Sequence, residues 1–431
     1  MPIPRLSDLY SDFLKRFYSS DYIVLLSSIV IQLAFAVLLG HQYDMRIFMA
    51  TGYLVATGQN PYVAQDLTGV FNNSSFQGMT SIGYPPPWPL MLGLLYRYVY
   101  TLTPNLLIYN LVIKIPIIAA VISLAYLVAH ILKHMEAETA AVRKAWIFLL
   151  LNPFVIYFAA AWGQFDSIVA LISLSSLVLL DRHRYIGSAI SLALAISIKP
   201  TAFPLLPVAL VYIWGKSHQR AFIFFAIVFS CLLLFCVAPF IVFGWDPTPI
   251  REGWNAHFTV GGGMSFMTFF ELLKDTYQMP GQWWLLGLAW IPAMGVSMVA
   301  IRRGIDSFKQ LISKGAGMTL VFFLTRSWLS EPNVLLLLPL VLILTYSGEL
   351  NHLALAALWI LPLIFTILNA SPPQLLFPSF PEAMLRILAQ LEHFRTARLI
   401  SRVLAVIPWQ VAGWWMVIAC FKHSPTAAIA H

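Results

Sequence analysis

Apolar runs, one after another, govern what this 431-residue chain can fold into. They fall near 22–40, 106–132, 145–161, 167–181, 185–198, 201–214, 221–243, 283–300, 316–326, 332–346, 353–369 and 403–421. A helix that crosses a bilayer needs about 20 consecutive apolar residues. In hydrocarbon every backbone N–H and C=O must be paired within the protein, so such runs are expected as helices. Composition agrees: 59% of residues are hydrophobic and only 10% are charged, with a mean hydropathy of +0.78. Soluble domains carry about 25% charged residues, and a chain this poor in charge cannot clothe its own surface in water. The expected fold is all-α, a polytopic membrane bundle of roughly 11–13 transmembrane helices forming one domain over 1–431. Runs between 167 and 214 and between 316 and 346 fall short of full thickness, so tilted or broken helices are expected there. The first run is too long for a signal-peptide core, and no small-residue cleavage site follows it.

The formal net charge is +8. In a soluble protein that would suggest nucleic acid. Here Lys and Arg collect in alternate short loops, as residues that set membrane orientation do. Lys15 and Arg16 precede the first run. Lys133, Arg143 and Lys144, then Arg182 and Arg184, then Lys216 and Arg220, then Arg302, Arg303, Lys309 and Lys314 follow. The N-terminus is therefore expected in the cytoplasm, and with an even number of spans so is the C-terminus with Lys422. The three cysteines, Cys231, Cys236 and Cys420, lie inside apolar runs without metal or redox spacing and read as small hydrophobes.

The opposite side carries three longer segments, 41–105, 244–282 and 369–401, rich in Pro, Trp, Tyr and Gly and too long for simple turns. In the first, Tyr84-Pro85-Pro86-Pro87-Trp88-Pro89 suits a turn and a first helical turn, leading into an interfacial helix with Arg97. In the third, Arg386, Glu392, Arg395, Arg398 and Arg402 among Leu and Ile read as an amphipathic surface helix. Charges on this side are costly unless used. They are Asp44, Arg46, Asp166, Lys199, Arg326 and Glu331, with Lys114 one or two turns inside the second run. Most have a plainer reading, and Asp44 suits an interfacial helix cap. Asp166 suits a helix cap, Lys199 and Arg326 suit snorkelling to the interface, Lys114 suits a packing ion pair, and His257 suits an ordinary loop. Gly261-Gly262-Gly263 follows no strand and reads as a turn rather than a nucleotide loop.

The ordered set of motifs resembles a known family. Asp44 followed by Phe48, Gly58, Asn60-Pro61-Tyr62 and Tyr84-Pro85-Pro86 is similar to the first outer loop of GT-C glycosyltransferases. Asn152-Pro153, Gln164-Phe165-Asp166-Ser167-Ile168, Lys199-Pro200 with Pro204 and Pro207, and Ser330-Glu331 continue it in order to about residue 345. The likeness is nearest to the mannosyltransferase that adds the first mannose of GPI anchors and its prokaryotic relatives.

That resemblance implies an inverting transferase moving a hexose, mannose by expectation, from a polyprenyl-phosphate carrier to an acceptor on the non-cytoplasmic face. Asp44 would be the catalytic base. Lys199, Arg326, Lys114 and Arg46 are the candidates to hold the donor phosphate. Gln164, Asp166, Tyr84, Glu331 and His257 are the candidates to orient substrate. The family often carries an outer D-x-D pair, but here Gln42 stands at its first position, so no metal and no cofactor are expected. The implied partners are the lipid-linked donor, a glycolipid, glycan or protein acceptor, and membrane lipid, with no nucleic acid. A prokaryotic plasma membrane is expected rather than the endoplasmic reticulum. The rival functions are a transporter or flippase of lipid-linked sugars, for which internal repeats are missing, and an inactive subunit of the same fold.

Overall fold

The computed structural model describes residues 19–259, 261–277, 283–302 and 305–422. Each apolar run emerges as a helix or as a broken pair of helical pieces. Five are long and apolar enough to cross a membrane: Asp21–Leu38, Leu106–His134, Thr139–Trp162, His218–Phe243 and Arg395–Phe421. Tyr185–Ile198, Pro200–Trp214, Leu286–Ile301, Glu331–Tyr346 and His352–Leu368 are shorter apolar helices. The protein is an all-α polytopic membrane bundle with a continuous apolar core. Its outer faces are apolar too. Phe222, Ile241 and Val242 on His218–Phe243 are all more than 70% exposed, as side chains facing lipid must be.

The breaks have local causes. Helix Thr139–Leu151 gives way at Asn152, whose side chain accepts from Phe154 N at 2.9 Å, and restarts at Pro153. Proline suits a helix start because the N–H it lacks has no helical partner there. Pro200, Pro332 and Pro339 likewise stand at starts of helical pieces. The expected short spans are thus real, and proline stands at several of their restarts.

The three outer segments are more structured than their sequence suggests. The first contains helix Gln42–Ala56, then helix Pro87–Leu95 with a π-turn over Tyr96–Tyr100. The proline start is as expected. The second helix does more than lie on a surface: it buries Trp88, Leu92 and Gly93 against its neighbours while Leu94 and Tyr98 face outward. Gly52 and Gly93 permit the close approach, since a Cβ on Gly93 would stand 2.4 Å from Val55 Cγ1. In the third segment the charged run does not form one surface helix. Helix Pro381–Glu392 ends before Arg395, which opens the long helix Arg395–Phe421. Arg395, Arg398 and Arg402 therefore stand on the first turns of a span.

Gly261-Gly262-Gly263 is more than a turn. Gly262 and Gly263 pair in parallel with Trp328 and Leu329, which fastens the second outer segment to the turn bearing Arg326 and Glu331. Glycine is required there: a Cβ on Gly262 would stand 2.2 Å from the Trp328 ring.

Candidate active site

Asp44 sits in the first turn of helix Gln42–Ala56, with a side chain 15% exposed. Trp162, the last residue of its π-turn, donates its indole N–H to Asp44 Oδ2 at 2.6 Å. His41 Nδ1 lies 3.1 Å from the same oxygen. The His41 and Trp162 rings stack, 3.8 Å apart and 8° from parallel. Burial alone would push the Asp44 carboxyl up. The His41 imidazole, the Trp162 indole and the Gln164 amide outweigh it and bring the group below the usual carboxylate range. Asp44 is therefore ionised at neutral pH.

Asp166 and Lys199 form the second feature. They lie 33 residues apart, and Lys199 Nζ donates to both carboxylate oxygens at 2.8 and 2.7 Å. Asp166 is fully buried and Lys199 nearly so. Asp166 is the first residue of helix Asp166–Asp181 rather than its cap, and its carboxylate is spent on the lysine. The ammonium lies 5.4 Å from the Tyr84 ring centre and 5.2 Å from that of Phe165, within cation–π reach. Phe165 in turn stacks on Trp88 at 4.1 Å. Tyr84 is within electrostatic reach of both Asp44 and Asp166, and burial followed by those two charges pushes its hydroxyl well above its ordinary value. It stays a neutral donor.

Arg326 follows helix Phe308–Thr325 and senses both Tyr84 and Asp166. Burial draws it down to about 10, so it keeps its charge at neutral pH. Glu331 is 4% exposed and within electrostatic reach of Asp44. Asn369 Nδ2 donates to Glu331 Oε1 at 3.4 Å, Arg402 Nη1 donates to Asn369 Oδ1 at 2.8 Å, and Arg402 stands 3.5 Å from Glu271. A chain of polar contacts thus joins the buried carboxylate to two outer segments. Gln164 Oε1 is buried beside Asp44 and Tyr84 without a hydrogen-bond partner.

Asp44, Tyr84, Gln164, Asp166, Lys199, Arg326 and Glu331 are thus brought together from five stretches of chain. Lys114 and Arg46 are not aimed there. Lys114 is fully buried and donates to the carbonyls of Leu39, Ala161 (3.1 Å) and Ala36 (3.5 Å), closing the end of the first span. Asn110 reinforces it with donation to Ala36 O at 2.7 Å. Among the described residues no carboxylate partners Lys114, so the packing ion pair is replaced by a helix-end clamp. Arg46 donates to Gln42 O at 2.9 Å and to Ser75 O, holding the outer loop. The His257 side chain lies outside the described residues. Among the described residues no three His, Cys, Asp or Glu side chains gather as a metal site requires.

His41, Trp162, Asn369 and Arg402 were missed as functional residues. Trp162 carries a weak signal, since a tryptophan ending an apolar run reads as an interfacial anchor. Its pairing with Asp44 spans 118 residues, beyond any local pattern.

The fold defines a multi-pass helical membrane protein. Residues 41–215, less than half of the chain, match the family model described as alpha-(1->6)-mannopyranosyltransferase, N-terminal domain. That match supports glycosyltransferase activity with mannose. It takes in Asp44, Tyr84, Trp162, Asp166 and Lys199 and stops before Arg326 and Glu331. The description names an α-(1→6) enzyme, not the GPI-anchor enzyme to which the loop motifs are similar. No curated protein matches the chain.

Proposed function

We propose that this protein transfers mannose, with inversion, from a polyprenyl-phosphate carrier to an acceptor hydroxyl on the non-cytoplasmic face. The observation that carries this reading is the ionised Asp44 carboxylate, held by Trp162 and His41 at Oδ2, beside Tyr84, whose next two residues wall an apolar groove. The groove encloses about 600 Å³ and is lined by Pro85, Pro86, Val237, Phe240 and Ile241, with Arg251 also at its wall. Its far side is the lipid-facing helix His218–Phe243. A prenyl tail needs such a wall to remain in hydrocarbon while its sugar enters a polar site.

Asp44 takes the proton of the acceptor hydroxyl. The acceptor oxygen forms a bond to the anomeric carbon as the bond from that carbon to the phosphate oxygen breaks. The phosphate leaves with the electron pair, and a guanidinium nearby stabilises its growing charge. Arg326 is the cation best placed for this, since Lys199 is already shared with Asp166. Arg326 is also free to fork onto two phosphate oxygens. Gln164 and Glu331 orient hydroxyls of the sugar or the acceptor.

The test is a donor panel. Purified protein, in chelator, receives polyprenyl-phosphate mannose or a nucleotide-mannose together with synthetic mannoside acceptors. Consumption of the lipid-linked donor with release of polyprenyl phosphate is expected. Asp44→Asn should lose at least roughly a hundredfold in turnover while still binding donor. Use of the nucleotide sugar instead, or turnover that returns only with manganese, would overturn the carrier or the metal-free mechanism.

A further inference from the structure

Asp44 is held more tightly than a lone base requires. Two of its partners meet Oδ2, the Trp162 N–H donating at 2.6 Å and His41 Nδ1 standing 3.1 Å away, and the Gln164 amide adds a third hold on the carboxylate. The two rings lie face to face, and the His41 backbone N–H donates to Trp162 O at 3.2 Å, so each ring fixes the other. Trp162 is fixed from its far side as well. The next residue, Gly163, has φ +93, and a Cβ there would stand 2.5 Å from Met45 Sδ and 2.9 Å from Lys114 Cε. Glycine lets the chain reverse immediately under Met45, the neighbour of Asp44. The helix carrying Asp44 and the π-turn carrying Trp162 are locked in one register.

We propose that Trp162, by its hydrogen bond, and His41, by its close contact, are positioning residues for Asp44 that anchor Oδ2 and fix the direction in which the carboxylate meets the acceptor proton. This rests on the reading of Asp44 as the base. A carboxylate free to rotate presents either oxygen and spends time out of line. One pinned on Oδ2 presents its remaining lone pairs in a single direction, and orientation of a reacting group is worth orders of magnitude in rate. The indole N–H also favours the anion over the acid, because it bonds the charged form. The titratable groups that face Asp44 are His41, Tyr84 and Glu331.

Trp162→Phe keeps an aromatic ring against His41 and removes only the N–H. We expect turnover to fall about tenfold or more, with the donor KM unchanged. The acid limb of kcat/KM against pH should move to higher pH, since the lost N–H no longer favours the carboxylate. His41→Phe keeps the stack, removes Nδ1, and should move the same limb in the same direction. A purely structural role would lower the amount of active protein and leave that limb in place. Should Trp162→Phe fail to fold, the limb in His41→Phe decides alone. Asp44→Asn separates the two levels of the argument. If it turns over at the wild-type rate, the base is wrongly assigned. If it is dead while the ring variants keep the wild-type rate and pH profile, the positioning inference alone is overturned.

Discussion

Asp166 and Lys199 show how a residue's meaning depends on what faces it. From sequence, each is an isolated charge at the end of an apolar run, and a cap or a snorkelling lysine explains either. In the fold both are buried and joined by two hydrogen bonds of 2.7–2.8 Å. Removing one member of a buried pair strands the other charge in a poorly polarisable site, at roughly 3–5 kcal/mol. Asp166→Asn and Lys199→Met should each destabilise by about that much. The double variant should cost well under the sum, because no charge is then left unpaired. Unfolding in mixed detergent would measure this. Strict additivity would show that the two side chains do not act as a unit. Lys114 makes the complementary point. It has the same residue type and comparable burial, but its partners are carbonyls at a helix end, so it belongs to the scaffold.

At the scale of elements, the outer segments decide whether the site is assembled. Their helices are legible in part, since the proline start at Pro87 marks one of them directly. The pairing of Gly262-Gly263 with Trp328-Leu329 is not legible, because it joins residues 66 apart through two-residue strands with no alternating pattern. It matters because the same turn carries Arg326 and Glu331. Gly262→Ala would drive a methyl into the Trp328 ring, a clash that typically costs about 1–3 kcal/mol. The helical bundle should survive, with unchanged far-ultraviolet dichroism. The 244–277 region should become more sensitive to limited proteolysis, and turnover should fall. Trp328→Ala in the same chain should restore part of the protection. Unchanged proteolysis in Gly262→Ala would mean that the pairing does not hold the loops.

At the scale of the whole molecule, the helices alternate, so the basic loops share one end and the site the other. Arg182 reaches His130 across two of those loops, and Lys309 reaches Glu349 across two more. The site end holds Gly40, His41, Gly163, Lys199 and Arg326. If the excess of Lys and Arg faces the cytoplasm, Asp44 faces outward. Single cysteines at Ala64 and His183, both exposed, test this in a chain whose Cys231, Cys236 and Cys420 are replaced by Ala. An impermeant thiol reagent applied to intact cells should label position 64 and not position 183. The reverse pattern would place the site in the cytoplasm and rule out the proposed topology of transfer.

The sequence by itself determined the solvent, the helices and some of the places where they break. Lipid demands apolar runs with internally paired backbones, and proline marks several of the restarts locally, so both properties can be read one segment at a time. It also singled out most of the charges that converge, because a charge beside hydrocarbon is costly wherever it stands. Only the tertiary structure decided which charges face one another. The partner of Asp44 is an indole 118 residues away, and the partner of Asp166 is a lysine at the end of the next helix. Such pairings depend on how helices pack, and packing in a membrane comes from shape and small residues across many segments. That is why Lys114 and Lys199 look alike in the chain, and why one closes a helix while the other meets a carboxylate.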